Sequence, residues 1–208
     1  MPKFFCIGHF KTGTTSYSKA MGMLGLTDLH FPQRYAQAMI DADGPVYWSE
    51  LLWDSMSNLH EVEYEGLQEL YPDARFVLTT RNVDKWLLSI DAHMTRQWPP
   101  EVQALFDARF QKIYGIDCVV EQYDPALLRT VLLEHGQRVR DHFGDALCVL
   151  DLDSGDNLMD KLASFVGHPV RYPRSNGTGD GMVQGRRPLV AGVNPSPGRG
   201  IELQEARA

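Results

Sequence analysis

Basic residues are in short supply. Lys and Arg number 20 against 27 Asp and Glu, which leaves a net charge of −7. A diffuse cationic surface for nucleic acid is excluded, so no nucleic-acid partner is expected. An anionic ligand has to be held by a local cluster of donors. Cysteine is scarce too: Cys6, Cys118 and Cys148 form no close-spaced pair. That excludes a small disulfide scaffold and fits reduced thiols in a cytosolic protein. Cys6 and Cys148 sit in apolar runs and read as buried, inert thiols. No apolar stretch approaches the roughly 18 residues of a membrane helix, so no membrane partner is expected. The opening MPKFFCIGHF is too short an apolar run for a signal peptide, and cytoplasmic location is the expectation. No H-x-x-x-H and no Cys pair occurs, so no metal is expected.

What the chain does have is enough to build one core. It has 208 residues, 43% of them hydrophobic. Phe4–Ile7 is a nearly continuous apolar run ending at Gly8, which reads as a strand buried on both faces. Arg75–Thr80 and Ala146–Leu150 read the same way. Helical spacing covers Ser16–Leu24, Gln33–Ala42, Glu61–Leu70, Asn82–Arg96, Glu101–Tyr114, Pro125–Phe143 and Asp156–Val166. A short strand is expected at Val46–Trp48 and a short helix at Glu50–Ser57. Strands alternating with helices predict an α/β fold of three layers, with a mostly parallel central sheet flanked by helices. One domain is expected over residues 1–173, followed by a loop or tail over 174–208. Seven glycines and three prolines fall within 174–200, along with Arg186 and Arg187. Oligomeric state is left open by the sequence.

Chemistry concentrates in Gly8-His9-Phe10-Lys11-Thr12-Gly13-Thr14-Thr15-Ser16, between the first strand and the first helix. Such a turn aims backbone N–H groups and a helix N-terminus at one point, which suits a phosphate. Gly13 lets the backbone approach closely, Thr14, Thr15 and Ser16 add hydroxyl donors, and Lys11 adds a full charge. An ordinary capped turn would need fewer of these groups than the Lys, Gly and four hydroxyl residues packed into positions 11–16. The pattern is not G-x-x-x-x-G-K-[ST], because Lys11 precedes Gly13 and Thr14 stands where that motif has its Lys.

The loop resembles instead the 5′-phosphosulfate loop of sulfotransferases that use 3′-phosphoadenosine 5′-phosphosulfate (PAPS), where a strand runs into G-x-x-[KR]-[TS]-G-[TS]-[TS]. A second stretch agrees. Arg81 closes the strand Arg75–Thr80, and Ser89 follows eight residues later on a helix. In that family an Arg and a Ser at this spacing hold the nucleotide 3′-phosphate. A guanidinium offers phosphate a bidentate fork, and the hydroxyl adds a neutral donor. The resemblance covers residues 3 to 95 well, and Phe165-Val-Gly-His-Pro169 is similar to the family's closing segment. It implies a P-loop-like fold and transfer of a sulfuryl group from PAPS to a hydroxyl or amine of a small-molecule or glycan acceptor. Lys11, Thr12, Gly13, Thr14, Thr15, Ser16, Arg81 and Ser89 would hold the donor, with Arg186 and Arg187 as a basic loop over the nucleotide. Lys11 would also serve catalysis, at the leaving phosphate oxygen.

The acceptor's proton needs a base, and relatives use a His or a carboxylate from the segment after the first helix or second strand. The candidates are His30, Glu50, Asp54, His60, Glu61 and Glu63. His30 is preferred, because it follows the loop helix, precedes the stiff Phe31-Pro32 and titrates in the useful range. His60 and Glu63 read as solvated surface. Asn58 stands where the family often carries a second acid. Trp48, Trp53, Trp98, Phe106 and Phe110 are candidates for an acceptor cleft. Two other readings stay open at this point: a P-loop nucleotide or small-molecule kinase, and an inactive nucleotide-binding protein.

Overall fold

Phe4 and Cys6 face one side of a sheet, Phe5 and Ile7 face the other, and all four side chains are fully buried. A strand covered on both faces needs apolar residues at every position rather than at alternate ones. In this computed structural model, residues 1–48, 52–58, 63–94, 96, 98–114 and 124–168 are described. The strands are β1 Phe4–Cys6, β2 Asp28–His30, β3 Ser55–Ser57, β4 Arg75–Thr80 and β5 Cys148–Asp151. They form one parallel sheet in the order β2-β3-β1-β4-β5. The helices are α1 Thr14–Met23, α2 Gln33–Asp41, α3 Tyr64–Leu70, α4 Val83–Met94, α5 Pro100–Tyr114, α6 Pro125–Phe143 and α7 Leu158–Val166.

Two apolar layers sandwich the sheet. Tyr17 and Met21 of α1 and Leu162, Ala163 and Val166 of α7 pack on Phe4, Cys6, Val77, Cys148 and Leu150. On the opposite face, Tyr35, Met39, Leu67, Leu105 and Val139 from α2, α3, α5 and α6 pack on Phe5, Ile7, Met56, Phe76 and Leu78. Each fully buried side chain of this size contributes about 1.5–3 kcal/mol. A third cluster of Phe10, Trp86, Ile90, Phe110 and Leu128 lies under the loop that follows β1.

All-parallel pairing brings every strand's C-terminal end to one edge. In register, Cys6 and His30 both pair with Ser57, Cys6 pairs with Val77, and Thr80 pairs with Asp151. Strand order reverses about β1: the chain runs out to β2, returns to β3, then crosses β1 to reach β4. The crevice at such a switch point is where open α/β sheets bind ligands. The loop after β1, Phe31 after β2, Asn58 after β3, Arg81 after β4 and Leu152 after β5 all emerge there.

Several expectations need correction. The segment expected as a helix over Glu50–Ser57 contains β3 at Ser55–Ser57, and all three of its residues are buried. Ser55 Oγ meets Tyr17 Oη at 2.8 Å, and Ser57 Oγ donates to Asp28 Oδ2 at 2.6 Å, so the buried hydroxyls are satisfied inside the sheet. β2 has no counterpart in the sequence reading. It is a half-buried edge strand of three residues, too short to show a period. Val46–Trp48, expected as a strand, forms no strand. The first helix starts two residues early, at Thr14. Cys6 and Cys148 are buried as expected. The division expected at 173/174 falls outside the described residues, as do Arg186, Arg187, Cys118, Glu50, His60 and Glu61.

Candidate active site

The loop after β1 is wound tightly enough that glycine is required at both ends. A Cβ on Gly8 would sit 2.1 Å from Thr79 Oγ1 and 2.5 Å from the Thr79 carbonyl oxygen. Gly13 has φ +108, and a Cβ there would lie 2.5 Å from Leu152 Cδ2. Lys11 adopts the left-handed region without being glycine, at φ +68. Strain of this kind costs on the order of 1–3 kcal/mol and persists only where its surroundings enforce it.

Those surroundings hold the loop by its carbonyl oxygens. His135 Nε2 of α6 meets the Ile7 oxygen at 2.7 Å. Thr12 Oγ1 donates to the His9 oxygen and contacts Thr79 Oγ1 at 2.8 Å. Trp86 Nε1 of α4 donates to the Phe10 oxygen at 2.9 Å. Arg81 Nη1 reaches the Lys11 oxygen at 3.4 Å. With the acceptors turned inward, the N–H groups of Lys11, Gly13, Thr14, Thr15 and Ser16 make no hydrogen bond among the described residues. The N-cap of α1 is Gly13, which has no side chain to cap the helix. The result is a cluster of unengaged donors at a helix N-terminus, the arrangement that binds an oxyanion. Thr12 departs from its expected role, because its buried hydroxyl is consumed by the loop itself. Thr14 is buried with a long 3.5 Å contact to Asn58 Oδ1, while Thr15 and Ser16 are exposed.

Two guanidiniums act on the Lys11 ammonium. Partial burial lowers its pKa most, and the charges of Arg96 and Arg81 lower it further. The causes acting on Lys11 itself include no carboxylate, although Asp153 acts on Arg81, so an acidic chain has gathered positive charge at the loop where an anion belongs. Arg96 was not singled out in the sequence, since it ends an ordinary helical run. Asn82 caps α4 as expected, accepting from the N–H groups of Asp84 and Lys85 at 3.1 and 3.2 Å. Asp153 takes the Asn82 N–H at 2.7 Å and pairs with Lys85, which fixes the turn that carries Arg81. Ser89 is partly buried in α4, three residues after Trp86 and four before His93, on the stripe that faces the loop.

His30 ends β2 in a relay. Ser57 Oγ donates to Asp28 Oδ2 at 2.6 Å, so it accepts from His30 Nδ1, 2.8 Å away. That assigns the proton to Nδ1 and leaves the Nε2 lone pair facing Thr15 Oγ1 at 3.3 Å. Burial lowers the His30 pKa, and the Asp28 charge works against that fall. The ring is therefore neutral at pH 7, with its basic nitrogen toward the loop. The other described candidates lie elsewhere. Asp54 precedes β3 at the far edge of the sheet, where its Oδ2 accepts from Thr27 N–H at 2.9 Å. Glu63 is not solvated surface: its side chain is 9% exposed and pairs with Lys112 at 2.7 Å.

Among the aromatics, Trp53 and Phe110 are core residues at 3% exposure, and Trp48 packs edge-on against Tyr35. Trp98 and Phe106 are partly exposed and pack around His93 with Phe10. Phe31 stacks on Phe106 at 5.2 Å, so one aromatic wall runs from His30 to His93. A cavity of about 390 Å³ opens between β4, the start of α4 and α6, with His9, Arg81, Asn82, His135 and Asp153 on its wall. It includes Arg81 but neither Lys11 nor His30. Among the described residues, no group of three or more His, Cys, Asp or Glu is placed to hold a metal, and no helix is long and apolar enough to cross a membrane.

Comparison with known proteins agrees with this geometry. Residues 3–180 match a family model described as a sulfotransferase domain. The fold is similar to the crystal structure of a sulfotransferase from Alicyclobacillus acidocaldarius, with a TM-score of 0.51 and 14% identity over 83% of each chain. At that identity the likeness speaks to the fold alone. No curated protein matches the sequence.

Proposed function

The chain belongs to the sulfotransferase family, and from that premise we propose that it moves a sulfuryl group from PAPS to a hydroxyl or amine of a small-molecule or glycan acceptor. The observation that carries this reading is the loop of Lys11–Ser16, with its carbonyl oxygens tied back and its N–H groups unengaged beside Lys11, Arg81 and Arg96. The residues fit the donor: an oxyanion at a helix N-terminus calls for unengaged N–H groups and a local positive cluster, and both are present. Lys11, Gly13, Thr14, Thr15 and Ser16 would hold the 5′-phosphosulfate, and Arg81 with Ser89 the 3′-phosphate. Bound there, PAPS supplies an activated sulfuryl group and leaves as adenosine 3′,5′-bisphosphate.

The chemistry asked of the protein is positioning and charge stabilisation. The bond from acceptor oxygen to sulfur forms as the bond from sulfur to the 5′-phosphate oxygen breaks. The electron pair stays on that phosphate oxygen, which the Lys11 ammonium would stabilise. His30 Nε2 takes the acceptor's proton, and Ser57 with Asp28 keeps the imidazole in the tautomer that can do so. Nothing in this balance asks for a metal ion. The protein would act in the cytoplasm.

Two measurements test the reading. Labelled sulfate from PAPS should appear on at least one member of a panel of alcohols, phenols, amines and sugars. Adenosine 3′,5′-bisphosphate should raise the melting temperature more than adenosine 5′-phosphate, and Arg81→Ala should erase that difference. Equal stabilisation by both nucleotides in the wild type rejects the 3′-phosphate site.

A further inference from the structure

His93 is a second imidazole at the loop, and the sulfuryl-transfer reading gives it nothing to do. It lies in the last turn of α4, four residues after Ser89. Its ring is walled by Phe10, Trp98 and Phe106, with centroids 5.8, 5.1 and 5.4 Å away. Both ring nitrogens are buried, and neither has a hydrogen-bond partner among the described residues. A buried polar atom left in that state bears its desolvation penalty, and in a native structure it calls for a partner such as an ordered water, an ion or a ligand. The surroundings indicate which ligand. Lys11 and Arg96 both act on the ring electrostatically, so it stands at the cationic cluster built for the donor's anionic groups.

The same surroundings decide its protonation. Burial, then Lys11, then Arg96 push the His93 pKa down to about 4. At neutral pH the ring offers one N–H donor and one lone pair. Burial lowers the His30 pKa too, but there a carboxylate, Asp28, opposes the fall where cations deepen it at His93. Two imidazoles with neighbours of opposite charge are suited to different roles.

We propose that His93 is a catalytic residue that donates its ring N–H to an oxygen of the sulfuryl group during transfer. This rests on the sulfuryl-transfer reading and extends it. The bond changes are those given above, the acceptor's proton goes to His30, and His93 neither gains nor loses a proton. A neutral donor held among cations cannot be drained by a proton, so its hydrogen bond is present throughout the working pH range. Contact with the ligand requires one of the rings around His93 to turn aside, and Trp98 and Phe106 are the two that are partly exposed.

The test compares wild type with His93→Phe, which keeps an aromatic ring, and His93→Gln, which restores an N–H donor. Two rates are read: transfer of labelled sulfate from PAPS to the best acceptor of the panel, and release of labelled sulfate to water, which needs no knowledge of the acceptor. His93→Phe is expected to lower both by about 10²–10³-fold, as for loss of one donor to developing charge. Affinity for adenosine 3′,5′-bisphosphate should stay within about threefold, and His93→Gln should recover at least about tenfold of the lost rate. Imidazole ¹⁵N spectra of the wild type give a reading that no variant can spoil by misfolding. Adding adenosine 3′,5′-bisphosphate with inorganic sulfate should shift the His93 N–H resonance. An unshifted resonance, a fully active His93→Phe, or a loss of nucleotide affinity in proportion to rate would each overturn the proposal. A wild type that neither binds the bisphosphate nor transfers sulfate brings down the sulfuryl-transfer reading itself. A wild type that does both while His93→Phe keeps pace brings down only the role of His93.

Discussion

His135 Nε2 lies 2.7 Å from the carbonyl oxygen of Ile7, across 128 residues of sequence. The contact joins the middle of α6 to the end of the apolar run that launches the phosphate loop. Its donor is an imidazole packed against a second one: the ring centroids of His135 and His9 are 4.4 Å apart. Burial, and after it the nearby His135, drives the pKa of His9 well below its ordinary value, so the His9 ring is neutral at pH 7. His135 Nε2 faces a carbonyl oxygen, so it carries a proton and donates to Ile7.

That relationship can be broken selectively. His135→Leu removes the donor and leaves a buried carbonyl unmatched, which should cost about 1–3 kcal/mol in urea denaturation. Adenosine 3′,5′-bisphosphate should also bind more weakly, because the loop loses one of its ties. His135→Gln, whose amide can donate, should recover part of both. Full nucleotide affinity in the leucine variant would mean that the loop holds its shape without α6.

Gly13 gives a sharper test of loop shape. Its φ of +108 disfavours any L side chain, and the added methyl would meet Leu152 Cδ2 at 2.5 Å. Gly13→Ala should therefore fold, because the clash is with a side chain, yet lose at least about tenfold in nucleotide affinity as the loop shifts. Leu152→Ala relieves the clash but not the backbone strain, so the double variant should recover only in part. Gly8→Ala should be worse than either, since there the methyl meets the backbone oxygen of Thr79 at 2.5 Å. Calorimetric titration with the bisphosphate ranks the variants.

Lys11→Ala separates anchoring from catalysis. The ammonium is partly buried and feels the charges of Arg96 and Arg81, so two cations remain to hold the donor when it is gone. Turnover should fall by about 10²–10³-fold, while bisphosphate affinity falls far less. Equal losses in both would make Lys11 an anchor only.

What the sequence disclosed follows from how each element is buried. β1 and β4 were legible because strands covered on both faces need unbroken apolar runs, and Phe4–Ile7 and Phe76–Leu78 supply them. β2 and β3 were hidden because Asp-Leu-His and Ser-Met-Ser satisfy polar side chains with one another, which no periodicity records. In the site, local spacing singled out Lys11 and Gly13, and the family resemblance added Arg81. His93 and Arg96 were not singled out, because their nearness to Lys11 comes from the fold, which returns the end of α4 and the residues after it to a loop some 80 residues earlier in the chain. Glu63 was misread as surface for the same reason: its partner Lys112 belongs to a helix packed there by the fold.

The relay from Asp28 through Ser57 to His30 predicts a pH profile whose sign can be worked out. The relevant quantity is kcat/KM, which reports the free enzyme's base. Burial lowers the His30 pKa from its model-peptide value of about 6.5, so the acidic limb should lie below pH 6.5. The Asp28 charge opposes that fall. Asp28→Asn removes the charge but keeps an oxygen for the Ser57 hydroxyl, so the limb should move further toward acid with the rate above it largely kept. Ser57→Ala cuts the link differently: His30 Nδ1 loses its acceptor, the tautomer is no longer fixed, and the plateau rate should drop. His30→Ala should abolish the limb and lower the rate by about 10²–10⁴-fold, the range of a lost general base. Asp54→Asn, at the opposite edge of the sheet, should leave the profile in place. A limb that moves toward alkali in Asp28→Asn contradicts the electrostatic assignment, and a near-normal rate in His30→Ala removes His30 as the base.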